Sequence, residues 1–372
     1  MKKLISIAIC ALCFAGQTMA QNTKQKEILD VVKRTNDYFM KKYSDPTLDT
    51  YVNKARTSNL WTRAVYYEGL MALYEIDPQQ RYIDYTDRWA DYHKWTARGS
   101  VKDTDADNQC CQQTYIDRYI QSGGKKDLSK VKENLDHQIS TGRNNYWTWI
   151  DAIQMAMPGF AMMSNITGDS KYIDYAMRSY TWSRDTCGGK LFNTEEGLWW
   201  RDANFVAPYK ESDGQNCYWS RGNGWVFTAL CRTMNQLSPK NKYYKQLKAD
   251  YMMMANALLK IQREDGFWNA SLTSQDFAGP ELSGTAQFLY GLCWGVNHGY
   301  LKKKAVMPAI HKAWKAVAST VHKDGFVGYV QGSGDRPASS QPVGYNREPD
   351  FDDYGLGCLL LGASEYCKLL KD

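Results

Sequence analysis

The run Trp219-Ser220-Arg221-Gly222-Asn223-Gly224-Trp225 holds a guanidinium between two indoles, beside two glycines and an Asn. Each glycine in a helix interior costs about 1 kcal/mol relative to Ala, yet an apolar helical pattern follows at once, from Val226 to Leu237. The run therefore reads as a loop tightening into a helix start. Arg grips carboxylates with two parallel hydrogen bonds, and Trp offers a flat apolar face with one donor. A helix start favours negative charge. Arg221, Trp219, Trp225 and Asn223 together suit an anionic, ring-shaped ligand.

Two aspartates offer acid–base chemistry. Asp151 lies in Trp147-Thr148-Trp149-Ile150-Asp151-Ala152, with Ile153, Met155 and Met157 after it. A carboxyl in apolar surroundings holds its proton more tightly, as a general acid near neutral pH must. Asp107, in Asp107-Asn108-Gln109, would raise it further if the two carboxyls are close. Helix capping alone also explains an Asp at a helix start, and it is the preferred reading for Glu281, Asp352 and Asp353. The 5 His lie in or beside helical patterns and none opens an inner segment, which argues against His-based catalysis. No Cys/His cluster has zinc spacing, and neither a nucleophile elbow nor a phosphate loop occurs. Gly332-Ser333-Gly334 reads as an ordinary flexible loop. No metal or cofactor is expected.

These residues need a scaffold, and helical periodicity supplies one. Segments run over 25–43, 61–76, 80–96, 107–121, 128–139, 147–165, 171–184, 221–237, 242–262, 282–300, 304–322 and 353–370. Alternate segments are apolar nearly all round, as in Gly355-Leu356-Gly357-Cys358-Leu359-Leu360-Leu361, whereas the others carry charge on one face. The first kind is buried and the second lies outside. Tyr-Ile-Asp-Tyr recurs at 82–85 and 172–175, and Asp-Gly-Phe at 265–267 and 324–326, the weak self-similarity of stacked helix pairs. Twelve alternating segments close most simply as an all-α (α/α)6 barrel of six inner and six outer helices, with short strands permitted in the long loops. Links from inner to outer segments are short and those back inward are long, so one face is elaborated and function is expected there. That face receives the starts of the inner helices, carrying Gln109, Trp149, Asp151 and Arg221.

Composition sets bounds. The chain has 372 residues, 13% of them aromatic, with 13 Trp and 26 Tyr. That is ample for a large core, and the surplus of rings suits a sugar cleft as well as core filling. Residues 1–20 are expected to be a secretory signal peptide: Lys2 and Lys3 precede an apolar run to Phe14, and Thr18-Met19-Ala20 ends in small residues. Residues 21–372 are then a single catalytic barrel domain, exported and periplasmic, with no membrane anchor. The formal charge of +6 suits an acidic substrate, and no basic run is dense enough for nucleic acid. Cys187 and Cys217 bracket one loop and could pair in an oxidising compartment.

The chain resembles the unsaturated rhamnogalacturonyl hydrolases of glycoside hydrolase family 105 and, less closely, the unsaturated glucuronyl hydrolases of family 88. Ala106-Asp107-Asn108-Gln109, Trp149-Ile150-Asp151-Ala152 with Met155 and Pro158, the Trp219–Trp225 run, and the 281–300 and 353–365 segments carry the likeness in family order. The resemblance implies the (α/α)6 barrel, Asp151 as acid/base, Asp107 as a second essential carboxyl, and Arg221 and Trp225 as substrate contacts. It implies an acidic oligosaccharide substrate whose Δ4,5-unsaturated uronic acid is removed by hydration. Arg201 stands where some members carry His. The residues alone leave two other readings: a sugar epimerase or inverting glycosidase on the same barrel, and a non-catalytic oligosaccharide-binding protein.

Overall fold

The computed structural model describes residues 23–49 and 55–371. The expected signal peptide, with Cys10 and Cys13, lies outside the described residues. The elements in chain order are α1 (Thr23–Lys42), α2 (Trp61–Ile76), α3 (Gln80–Tyr92), α4 (Ala106–Gln109), α5 (Cys111–Gln121), α6 (Ser129–Ser140), α7 (Asp151–Thr167) and α8 (Lys171–Asp185). A hairpin of β1 (Phe192–Asn193) and β2 (Leu198–Trp199) follows, then α9 (Ser220–Met234), α10 (Tyr244–Ile261), α11 (Leu282–Asn297), α12 (Lys303–Ser319) and α13 (Asp353–Leu369).

Helices α2, α4 with α5, α7, α9, α11 and α13 pack in sequence, and α13 closes the ring against α2. The remaining helices lie outside. Burial follows the sequence pattern. Every residue of α13 except Lys368 is buried, whereas α1 buries one stripe through Ile28, Leu29, Val32 and Phe39, as inner and outer helices must. The closing seam depends on two glycines. A Cβ on Gly69 would lie 2.5 Å from the Gly357 carbonyl oxygen, and one on Gly357 would lie 2.3 Å from that of Val65. Any side chain there would force α2 and α13 apart.

The structure departs from the expected boundaries where local backbone chemistry intervenes. The third segment stops at Tyr92 because Lys94 and Trp95 take positive φ of 55° and 54°, which a helix cannot continue through. The fourth breaks at Cys110 into the single turn α4 and the helix α5. Asp105 caps that turn, its carboxylate accepting the Asp107 N–H at 2.9 Å. Of the three expected caps, Glu281 behaves as one, accepting the Gly284 N–H at 2.9 Å. Asp352 instead ties α1 to α13 through Lys42 at 2.7 Å and Tyr43 at 2.9 Å. Asp353 pairs with Arg63 at 3.2 Å across the closing seam, where burial still pushes its carboxyl up to about 6. Cys187 and Cys217 are buried free thiols, not a disulfide. Among the described residues no helix is long and apolar enough to cross a membrane.

Candidate active site

The site is assembled by docking a loop onto two helix starts. The segment before α7 runs beside the loop after β2: Trp149 and Asp202 form an isolated antiparallel bridge, and the Ile150 N–H donates to the Arg201 carbonyl at 2.9 Å. Asn223 holds the hairpin from the other side. Its Oδ1 accepts the Trp199 N–H at 2.8 Å, and its Nδ2 donates to the carbonyls of Trp199 at 2.9 Å and Trp219 at 3.0 Å. Arg201, two residues beyond Trp199, is thereby set against Asp151, the first residue of α7. Asn223→Ala takes these partners from the buried Trp199 N–H and carbonyl, whereas the Trp219 carbonyl keeps the Asn223 N–H at 3.0 Å; the loss is about 1–3 kcal/mol. It is expected to lower the melting temperature by a few degrees, as calorimetry would register, and to weaken catalysis through Arg201.

Asp107, Asp151, Trp149 and Arg201 all meet in the wall of one cavity of about 150 Å³ at the barrel mouth. An engineered apolar cavity of roughly this volume admits a six-membered ring. Arg56, Trp61, Met155, Ser333 and Gly334 complete the wall. Burial, then the negative charges of Asp105 and Asp151, push the Asp107 carboxyl up to about 7, against the pull of Arg201 and Arg98. The surroundings of Asp151 are more polar than the sequence predicts. Its Oδ2 lies 3.4 Å from Arg201 Nε without hydrogen-bond alignment, so both atoms keep an unused valence. Arg201 also donates to Asp202 at 2.7 Å. Burial disfavours its charge, but Asp151 and Asp202 keep it firmly protonated.

The Trp219–Trp225 run lies behind this cavity, not in its wall. Arg221 is 1% exposed and spends its fork inside the protein: Nη1 donates to the Gly332 carbonyl and to Tyr354 Oη, each at 2.9 Å, and Nη2 reaches the Gly334 carbonyl at 3.5 Å. Its guanidinium lies 4.2 Å from the centre of the Trp219 ring. Trp219 Nε1 donates to Gln331 Oε1 at 2.7 Å, and Tyr354 Oη donates to the Gln331 carbonyl. The run is an anchor for residues 331–334, and that stretch, expected to be an ordinary loop, forms cavity wall through Ser333 and Gly334. Trp225 is buried and meets Trp61 edge-on at 6.1 Å. Gln109 is buried and ties α4 to α6 through Asn134 at 3.0 Å and Gln138.

Tyr354→Phe tests the anchor, because Tyr354 is not itself part of the cavity wall and its hydroxyl bonds Arg221 and the Gln331 carbonyl. Losing two buried hydrogen bonds to neutral partners or Arg should loosen the loop, and kcat/KM is expected to fall about three- to tenfold. Arg221→Lys, which cannot span both carbonyls, should fall at least as far. Sequence reasoning missed Arg56, Trp61, Ser333 and Gly334. Trp61 obeys the same inner-helix-start rule as the aspartates and was recoverable from it; the others lie in long loops without periodicity. Among the described residues no group of three or more His, Cys, Asp or Glu is placed to hold a metal ion.

Six helical hairpins with paired carboxyls and aromatic rings at the mouth define a glycosidase-type barrel. The chain matches the model for Glycosyl Hydrolase Family 88 over residues 31–370, and it belongs to that family. An unsaturated 3S-rhamnoglycuronyl hydrolase from Alteromonas sp. (strain LOR) is 30% identical, over 84% of this chain and 78% of the relative. A solved family 88 glycosyl hydrolase from Bacteroides vulgatus is 30% identical with a TM-score of 0.83, covering 93% of this chain and 99% of that one. A structure described as a polysaccharide lyase is 28% identical with a TM-score of 0.84, covering 94% and 99%.

Proposed function

We propose that the protein hydrolyses oligosaccharides ending in a Δ4,5-unsaturated uronic acid, of the rhamnoglycuronyl type, and releases that terminal sugar. The reading is carried by one arrangement: Asp107, Asp151 and Arg201 share a ring-sized cavity whose wall also holds Trp61 and Trp149. The name of the Alteromonas relative supports the substrate class. The apolar, Lys-led first twenty residues support export, hence work on products made outside the cytoplasm.

The C4=C5 bond of such a sugar is an enol ether, conjugated to the ring oxygen and to the carboxylate, and C4 is its nucleophilic carbon. Asp151 gives a proton to C4, and the positive charge that develops at C5 is shared with the ring oxygen. Water adds its oxygen to C5 and returns a proton to the carboxylate. The resulting hemiketal opens at the C5–oxygen bond, and the neighbouring sugar leaves from C1. Only one proton donor acts, so the carboxyl spacing that separates retaining from inverting glycosidases does not govern the outcome. Asp107, its carboxyl pushed up to about 7 by burial and by the negative charges beside it, holds a proton next to Asp151 at working pH. Arg201 steadies the carboxylate that remains after transfer.

A second reading, β-elimination from an intact polysaccharide, is favoured by the likeness to the lyase structure. Ultraviolet absorbance of the conjugated alkene separates the two by sign. Supplied with lyase-digested polysaccharide, the protein should make the absorbance fall. A rise on undigested polymer, with no fall on the digest, would establish elimination instead.

A further inference from the structure

We propose that Arg56 anchors the carboxylate of the terminal uronic acid, and so makes the enzyme selective for the charged sugar. The inference rests on the hydrolase reading above and adds the residue that recognises the anion. The cavity wall holds two guanidinium groups, Arg56 and Arg201. Arg201 is hydrogen-bonded to Asp202 at 2.7 Å and ion-paired, without hydrogen-bond alignment, with Asp151 at 3.4 Å. Arg221, the residue whose sequence setting suggested an anion site, is committed to carbonyl oxygens and Tyr354. The Nε of Arg56, like those of Arg201 and Arg221, is buried with no hydrogen-bond acceptor, but among the described residues Arg56 alone of the three makes neither an ion pair nor a side-chain hydrogen bond. Its guanidinium lies 4.6 Å from the centre of the Phe351 ring, a stack that fixes the plane of the fork.

A buried, oriented donor without an acceptor is costly to leave empty, and Arg is always charged. A planar carboxylate satisfies two of its N–H groups at once. The substrate's carboxylate is attached at C5, next to the carbon that takes the proton. Holding it on Arg56 would fix the ring against rotation, with C4 toward Asp151. The contact is made in the ground state as well as in the transition state, so its loss should appear mainly in KM.

The test uses an unsaturated disaccharide and its neutral methyl ester, assayed by loss of alkene absorbance with the wild type, Arg56→Gln and Arg56→Lys. The wild type should prefer the acid over the ester in kcat/KM by about ten- to a hundredfold, as for a hydrogen-bonded charge. In Arg56→Gln that ratio should collapse towards one, chiefly through KM for the acid, and Arg56→Lys should restore part of it. A ratio that survives in Arg56→Gln, or equal losses on acid and ester, would overturn the anchor while leaving the hydrolase reading intact. A wild type that consumes neither compound would overturn both. Arg56 lies in a loop, and thermal melting of the variants within a few degrees of the wild type excludes unfolding as the cause.

Discussion

Asp151→Asn is expected to slow alkene loss by about a hundred- to ten-thousandfold, the usual contribution of a positioned general acid. The substitution keeps the shape of the side chain and removes only its ability to give and take the proton. Asp151 opens α7, but its side chain is not the cap of that helix: the capping position is Ile150, with no side-chain cap bond. The substitution therefore removes no capping hydrogen bond from the helix. What changes locally is Arg201, which loses one of its two acidic neighbours and keeps Asp202. KM should move little, because the ring remains held by the wall. Stopped-flow absorbance with the purified variant reads the effect directly. A variant retaining more than about a tenth of wild-type kcat, far above the expected loss, would remove Asp151 from the chemistry.

The second large effect is on pH. The Asp107 carboxyl is pushed up to about 7, and the proposed mechanism draws on the proton that Asp107 holds. Activity should therefore be lost as pH rises through 7, about tenfold per unit beyond it. Stability carries the same sign. An unfolded Asp titrates near 3.9, so the native protein binds this proton more tightly. The linked stabilisation is complete below about pH 4 and is lost as pH rises through about 7. Asp107→Asn should melt above the wild type at pH 8, and the gap should shrink towards pH 4. The variant should also lose at least about a hundredfold in rate, an exchange of stability for function common at such sites. Glu68, Asp117 and Asp353 are pushed up to about 7, 6 and 6, and they titrate in both proteins. The difference between wild-type and variant melting curves isolates Asp107. Parallel curves from pH 4 to 8 would contradict the assignment.

The barrel was legible because burial writes itself into periodicity. An inner helix such as α13 has no polar face to disguise it, and its five counterparts in the ring begin where long loops end. The carboxyl pair was legible for the same reason: Asp107 and Asp151 sit at inner-helix starts, and a closed ring brings those starts together. Residue type misled where direction mattered. Arg221 between two Trp has the composition of an anion site, but composition does not say that its fork points at the Gly332 carbonyl. Asn223 likewise reads as a polar contact and serves as a clamp on Trp199. Arg56 and Ser333 were invisible because their loops carry no periodicity, and their place in the wall depends on Phe351, Gln331 and Tyr354, distant in sequence. The polar setting of Asp151 was missed because Arg201 reaches it from a loop some fifty residues away, a loop positioned by one backbone bridge and one Asn side chain.

The central claim is that bond breaking begins at the alkene rather than at the glycosidic carbon. It is tested by following alkene absorbance and release of the neighbouring sugar together during a single turnover. Hydration predicts that absorbance falls before or along with sugar release, and that both are lost together in Asp151→Asn. Sugar released ahead of the absorbance change, with the double bond still intact in the departing uronic acid, would contradict it.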